Sequence, residues 1–448
     1  MPLTIDKEHF LAEAWRALGL RALDASKPED RARYVSIYDR EDLRELDPVD
    51  RLYQNITWSP HGSAVLFSGY RGSGKSTELS RLKHRLEEHA GAVVVYCDMT
   101  EFINMDAPPD VPDLLLATAG AFAEVVERDE ALRRALPNTY WERLVGFLRG
   151  VHVNVDEVEI KGEPGGVGLG VKLALKSSPS FQRRLQEQLT GVAGALAKEV
   201  RDYYAQVVAE LKRLHGDKPV VILFDSLEHI QGTGASAAEV ASHIVATFNR
   251  TDLLRVPGVH VVYTVPPWLK VKAPHVIQGY DNALLLPCLK VRDQVSRAPF
   301  RPGLDALAEV VAQRFDWEKV LSRAQLDQVA LASGGQFRDL FRILRGVLSS
   351  CARHNTVVAT DPILAWAIAE VRNGYLPLSQ ADACWLAEID RTGEAHLPDL
   401  DKLGELARLF DSHLVLTYRN GAEWYRPHPL LAEEVVKLAA RVPASGAP

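Results

Sequence analysis

Hydrophobic positions along the chain follow two periods, and the switch between them marks the elements. SAVLFS (63–68), VVVYCD (93–98), VVILF (220–224) and VHVVYTV (259–265) are short, almost unbroken apolar runs bounded by turn or polar residues. Such runs predict strands of a parallel sheet, buried on both faces. TELSRLKHRLEEH carries leucines at 79, 82 and 86, a helical spacing. The same spacing predicts amphipathic helices near 110–129 and 137–149 and a long helix over about 180–215. Farther on, GLDALAEVVAQRF and QLDQVALA frame SGGQFRDLFRILRGVL. There Gly334-Gly335 break one helix, and Phe337, Leu340, Phe341, Ile343 and Leu344 form the apolar face of the next.

A period of two appears in VHVNVDEVEIKGEPGGVGLGVKLALK. Val151, Val153 and Val155 alternate with polar residues, Val158 and Ile160 continue one residue out of phase, and Val167 to Leu175 complete a second arm across EPGG. This predicts a β-hairpin with a bulge. Its glycines are no dinucleotide site, because no helix follows them. Its charges are mixed, with Asp156, Glu157, Glu159 and Glu163 against Lys161, Lys172 and Lys176. That mixture favours a protein contact over tracking a phosphate backbone.

The C-terminal part reads as a winged helix. LSQADACWLAEID and DKLGELARLFDSH are helical, and HLVLTYRNGAEWYRPH gives two strands around Asn420-Gly421, the signature of a type I′ turn. Helix 401–410 carries Asp401, Lys402, Glu405 and Arg408, with Asp411 just after, so it has no positive excess; Arg419 and Arg426 on the wing keep DNA open as a partner. The expected organisation is an N-terminal helical segment and linker over 1–50 and an α/β domain over 51–292 with the hairpin inserted at 150–178. A helical lid over 293–374 and a winged helix over 375–442 complete it.

GYRGSGKST, residues 69–77, fits G-x-x-x-x-G-K-[ST] at every fixed position and lies between a predicted strand and a predicted helix. Gly69, Gly72 and Gly74 permit backbone angles that turn successive N–H groups toward phosphate oxygens; Tyr70, Arg71, Ser73 and Thr77 complete the loop. The helix start near Lys75 adds its positive end. Lys75 reaches the β- and γ-phosphates, and the Ser76 hydroxyl ligates Mg²⁺. Hydrolysis needs more: an acid for the metal and a group to activate water. KPVVILFDSLEHI supplies Asp225 at the C-terminal end of its strand, where open α/β sheets bind ligands, and Glu228 three residues on. Thr264, near the end of the next strand, is placed to contact the γ-phosphate, and Arg338, near the start of a lid helix, to reach over the nucleotide.

This order of strand, GYRGSGKST, helix, FDSLE, polar strand end and SGGQFR resembles AAA+ and STAND-type P-loop ATPases, in particular the origin-recognition type, over roughly residues 30–440. The resemblance implies that Asp225 and Glu228 form Walker B, that Thr264 is sensor 1 and Arg338 sensor 2, and that Arg51 in DPVDRLYQNI lies on a linker bordering the adenine. One departure stands out. Ring-forming AAA+ proteins carry an arginine finger in the interval after sensor 1, whereas PPWLKVKAPHVIQGYDN has only Lys270 and Lys272; Arg250 and Arg255 lie before that strand. A lysine does not spread charge over a phosphate as guanidinium does. This turns the reading from a ring motor toward a switch.

Composition adds limits. At 448 residues the chain has room for two to four domains. A net charge of −7 is unlike that of a protein that coats nucleic acid. Cys97, Cys288, Cys351 and Cys384 share no metal or redox spacing, and no apolar run is long enough to span a bilayer, so a cytoplasmic protein is expected. The main reading is an Mg²⁺-dependent ATPase that switches conformation with its nucleotide and engages a protein partner or effector encoded by another chain, in signalling or anti-phage conflict, with self-association open. The alternatives are a DNA-binding loader or remodelling ATPase of origin-recognition type, with DNA open but not favoured, and a scaffold that binds ATP without turnover.

Overall fold

The structure is a computed structural model and describes residues 5–103, 110–136, 146–147, 150, 186–229, 237–395 and 399–441. The helix expected near 137–149 and the hairpin expected at 150–178 fall almost wholly outside the described residues. The strands are β1 (Ser63–Gly69), β2 (Val93–Asp98), β3 (Val220–Asp225), β4 (His260–Val265), β5 (Asn282–Leu286), β6 (Val415–Asn420) and β7 (Ala422–Pro427). The longer helices are α1 (Ile5–Ala17), α2 (Pro48–Trp58), α3 (Lys75–His89), α4 (Val111–Arg128), α5 (Ala193–His215), α6 (Ala237–Asn249), α7 (Arg301–Ala312), α8 (Arg323–Ser333), α9 (Phe337–Arg353), α10 (Asp361–Asn373), α11 (Gln380–Thr392), α12 (Leu403–Asp411) and α13 (Ala432–Ala439).

The chain forms two compact units. One holds Pro48–Ser68 and Glu78–Leu285; the other holds Met1–Asp47, Gly69–Thr77 and Leu286–Pro448. The phosphate-loop motif therefore groups with the C-terminal helices and hairpin, a partition that the linear order of segments does not suggest.

The first unit is built on a sheet of order β2-β3-β4-β1-β5. The β2–β3, β3–β4 and β4–β1 pairs are parallel. Every residue of β3 and β4 is buried, as unbroken apolar strands require when both faces are covered. Thr264 pairs with Phe67, and Phe224 pairs with Tyr263, so Asp225 and Thr264 end level with the last turn of β1. The apolar face of α4 packs on α5, where Phe122 and Tyr204 meet at 4.9 Å between ring centres. At the opposite end of the strands His260 is buried and its Nδ1 lies 3.0 Å from Ser63 Oγ; burial pushes its pKa down to about 4.

The second unit is helical. Helix α9 buries Leu340, Phe341, Ile343, Leu344, Val347, Leu348 and Cys351, one continuous stripe at helical spacing. Helix α8 starts on a capping box, Ser322 with Gln325, and stops where Gly334 adopts φ +62°. Gly335 follows at φ +78°, and a β-carbon there would fall 1.8 Å from the Leu289 carbonyl oxygen, so the break before α9 admits only glycine. The hairpin turn differs from the expected type I′. Arg419 pairs with Glu423, one residue wider than a two-residue turn, and Gly421 alone takes positive φ, +79°. Asn420 stays in extended pairing opposite Ala422, because the added residue relieves it of the left-handed conformation.

A buried polar cluster joins α9 to the end of the hairpin. Asp339 is fully buried and accepts from Tyr375 Oη and, at 3.0 Å, from His428 Nε2. Leu430 N donates to His428 Nδ1 at 3.2 Å, which leaves the ring proton on Nε2 for Asp339. Burial pushes the Asp339 carboxyl up, but the bonds from His428 and Tyr375 and the charge of Arg342 outweigh it and hold it below the usual range.

Candidate nucleotide site

The loop closes on itself through its own backbone. Ser73 N donates to Tyr70 O at 3.1 Å, and Gly72 and Gly74 take φ of +80° and +102°. Lys75, 3% exposed, folds its ammonium back onto the Gly69 and Tyr70 carbonyls at 2.8 and 2.9 Å. The first turn of α3 then presents Ser76 and Thr77, both half-buried. Thr77 Oγ1 accepts from Leu23 N at 3.1 Å. The segment around Leu23 is fastened by Asp30, which is fully buried and takes two 2.6 Å bonds from Arg21.

The lid helix meets the loop at its glycines. Arg338 N donates to Gly72 O at 3.2 Å. A β-carbon at Gly72 would lie 2.5 Å from Arg338 Cβ, and one at Gly74 would lie 3.9 Å from the Phe337 ring. Burial, then the neighbouring Arg71, pushes the half-buried Arg338 guanidinium below its ordinary value. One further group that the motifs did not reveal comes in here. His413, at φ +58°, lies with its Nδ1 3.3 Å from Gln336 Nε2 and its ring edge-on to Tyr70 at 5.3 Å. Burial, then Arg338 and with a smaller part from Lys75, pushes the His413 pKa down to about 3.

The residues fit a polyphosphate. One buried group able to donate, the Ser73 hydroxyl, has no hydrogen-bond partner among the described residues. The positive-φ glycines make a cradle that side chains would fill. Arg71, Lys75 and Arg338 supply cationic character in the same unit.

Asp225 and Glu228 lie in the sheet unit. Asp225, 2% exposed, ends β3 and accepts from Tyr96 Oη on the neighbouring strand. Burial, then the Asp225 charge, drives the Tyr96 hydroxyl far above its ordinary pKa, so it stays a donor. Ser226 follows at φ +71°, with its N–H on Asp225 Oδ1 at 2.8 Å. This left-handed step starts the turn Leu227–His229, on which Glu228 is buried, with His229 Nε2 3.8 Å from its carboxylate. Thr264, fully buried, accepts from Leu227 N at 3.1 Å and so holds that turn in place. Arg51 is on α2 in this same unit. Arg255 is committed to Asp281 at 2.9 Å and to the Gly279 carbonyl, and Arg250 lies 3.3 Å from Asp252.

The charges of the C-terminal elements are largely matched. Lys402 bonds Glu405, Arg408 bonds Asp382, and Arg426 bonds Asp390 at 2.8 Å while Arg297 reaches the same Asp390. Arg419 bonds the Gly421 carbonyl at 3.3 Å. None of the four cysteines forms a disulfide. Among the described residues, no helix is long and apolar enough to cross a membrane.

No protein-family model matches the sequence, and no curated protein matches it. Solved structures do. The chain is similar to the Aeropyrum pernix ORC2 protein in its ADPNP–ADP complexes, at 13% identity and a TM-score of 0.40, over 89% of this chain and 93% of that one. It is similar to Aeropyrum pernix ORC1 in complex with DNA, at 15% identity and a TM-score of 0.38, over 91% and 97%. Drosophila ORC bound to DNA gives 12% identity and a TM-score of 0.39, over 99% and 94%. These are proteins of the origin-recognition kind that the order of motifs resembles.

Proposed function

We propose that the protein is an Mg²⁺-dependent ATPase whose nucleotide state is read by the helical lid and the C-terminal hairpin. The observation that carries this reading is the loop itself. A buried Lys75 ammonium sits on the Gly69 and Tyr70 carbonyls, in a cradle of positive-φ glycines capped by the backbone of Arg338. In this reading the loop N–H groups and Lys75 bind the phosphates, and Arg338 answers charge on the γ-phosphate. By the order of the motifs, Ser76 and Asp225 would be the metal-holding residues, and the metal when bound would neutralise phosphate charge. Glu228 orients and deprotonates the attacking water, and Thr264 keeps its turn in register. Titrating ATP and ADP calorimetrically against wild type and Lys75→Ala tests the binding part: Lys75→Ala is expected to lose at least tenfold in affinity, and equal affinities would overturn it.

For the partner, DNA comes first, ahead of the protein-engaging switch. Two of the solved structures similar to this chain are DNA complexes. A helix pair followed by the β6–β7 hairpin is an arrangement that winged-helix proteins present to DNA. The protein-partner reading rests on a separate observation: Lys402, Arg408 and Arg426 are all held in ion pairs. Binding to labelled duplex DNA, titrated with salt and run with and without ATP, separates the two. Affinity that falls steeply with salt supports DNA; no binding at low salt returns the protein partner.

A further inference from the structure

Tyr70 is the second residue of the phosphate loop, yet its side chain is fully buried. Its hydroxyl donates to the Val415 carbonyl of β6 at 2.7 Å. It also lies 2.8 Å from Thr417 Oγ1. A phenol has one proton, so with that proton on Val415 O the Thr417 hydroxyl is the donor to Tyr70. The partners lie 345 and 347 residues along the chain from Tyr70. Burial drives the phenol well above its ordinary pKa, so the hydroxyl stays protonated and the pair of bonds intact. The same residue's backbone carbonyl accepts both Ser73 N and Lys75 Nζ. Tyr70 thus shapes the loop with its main chain while its ring is fastened in the hairpin.

We propose that Tyr70 is a positioning residue that pre-organises the phosphate loop and carries its nucleotide state to β6. The inference rests on the nucleotide-binding reading above. When Lys75 Nζ leaves the Tyr70 carbonyl for a phosphate, the load on Tyr70 changes. Its only polar side-chain partners in the described structure are Val415 and Thr417. Coupling between two sites is reciprocal, so the hairpin must affect nucleotide affinity as much as nucleotide affects the hairpin.

The test compares wild type, Tyr70→Phe and Thr417→Val, with ATP and ADP affinity by calorimetry and amide exchange across residues 415–420 with and without nucleotide. Wild type is expected to bind and to change exchange in β6. Tyr70→Phe keeps the ring and is expected to bind 3- to 10-fold more weakly and to lose the β6 response; Thr417→Val is expected to shift in the same direction by less. A purely structural role would lower the melting temperature and leave the affinity ratio and the β6 response alone. Affinities within twofold together with an unchanged β6 response would overturn the proposal. If Tyr70→Phe fails to fold, Thr417→Val alone decides by the same criteria. Failure of wild type to bind nucleotide would sink the ATPase reading and this inference together, whereas binding without coupling sinks only the inference.

Discussion

Gly72→Ala probes the join between loop and lid most sharply. Gly72 holds φ +80°, and its added methyl carbon would lie 2.5 Å from Arg338 Cβ and 2.7 Å from Arg338 Nε. An alanine in the left-handed region costs about 1 kcal/mol. The β-carbon of Arg338 is fixed to the helix backbone and cannot swing aside, so the first turn of α9 must retreat. The bond from Arg338 N to Gly72 O is then lost, about 1 kcal/mol more. The sum is about 2 kcal/mol, which corresponds to roughly 30-fold if it appears wholly in nucleotide affinity. Urea unfolding and nucleotide titration on the same preparations would divide it between stability and binding. The control is the background Arg338→Gly, which removes the β-carbon that clashes: Gly72→Ala is expected to cost only about 1 kcal/mol there. Equal cost in both backgrounds would refute the argument that the lid helix rests on this glycine.

Other expectations follow from single contacts. Asp339→Ala strands the Tyr375 hydroxyl and His428 Nε2 in a buried site and is expected to lower stability by about 3 kcal/mol, read by thermal and urea unfolding; a loss under 1 kcal/mol would mean that the cluster is dispensable. His260 bears on pH dependence. Its folded pKa, about 4, lies below its unfolded value of about 6.5, so folded protein resists the proton that unfolded chain accepts. Its contribution to stability is complete above about pH 6.5 and is lost progressively as pH falls toward 4, amounting to about 2 kcal/mol by pH 5. His260→Gln is expected to flatten that part of the stability–pH curve, and an unaltered curve would show that this histidine does not set it.

The sequence made the sheet and the loop legible for physical reasons. Strands covered on both faces are continuous apolar runs, so β1 to β4 stand out, and the Gly-rich turn between a strand and a helix has few other uses. Asp225, Thr264 and Arg338 could be placed because each sits next to such an element. What stayed hidden lies far apart in the chain and leaves no period. Tyr70 gives no sign in GYRGSGKST that its ring belongs to β6. Tyr96 looks like one more apolar strand residue until its hydroxyl is found on Asp225. His413 precedes a strand and carries no motif, yet it meets Gln336 and Tyr70 beside the loop. The backbone of Leu23, which no side-chain pattern marks, is the group that reaches the first turn of α3.

The central claim is turnover, and it turns on Glu228, buried on the turn that Thr264 and Ser226 hold at the end of β3. Phosphate release from ATP should be measured for wild type and Glu228→Gln at saturating nucleotide and Mg²⁺, with binding checked in parallel. Wild type is expected to release phosphate, and Glu228→Gln to bind ATP with similar affinity while turning over at least 100-fold more slowly. Equal rates, or no release from wild type that binds ATP, would contradict it.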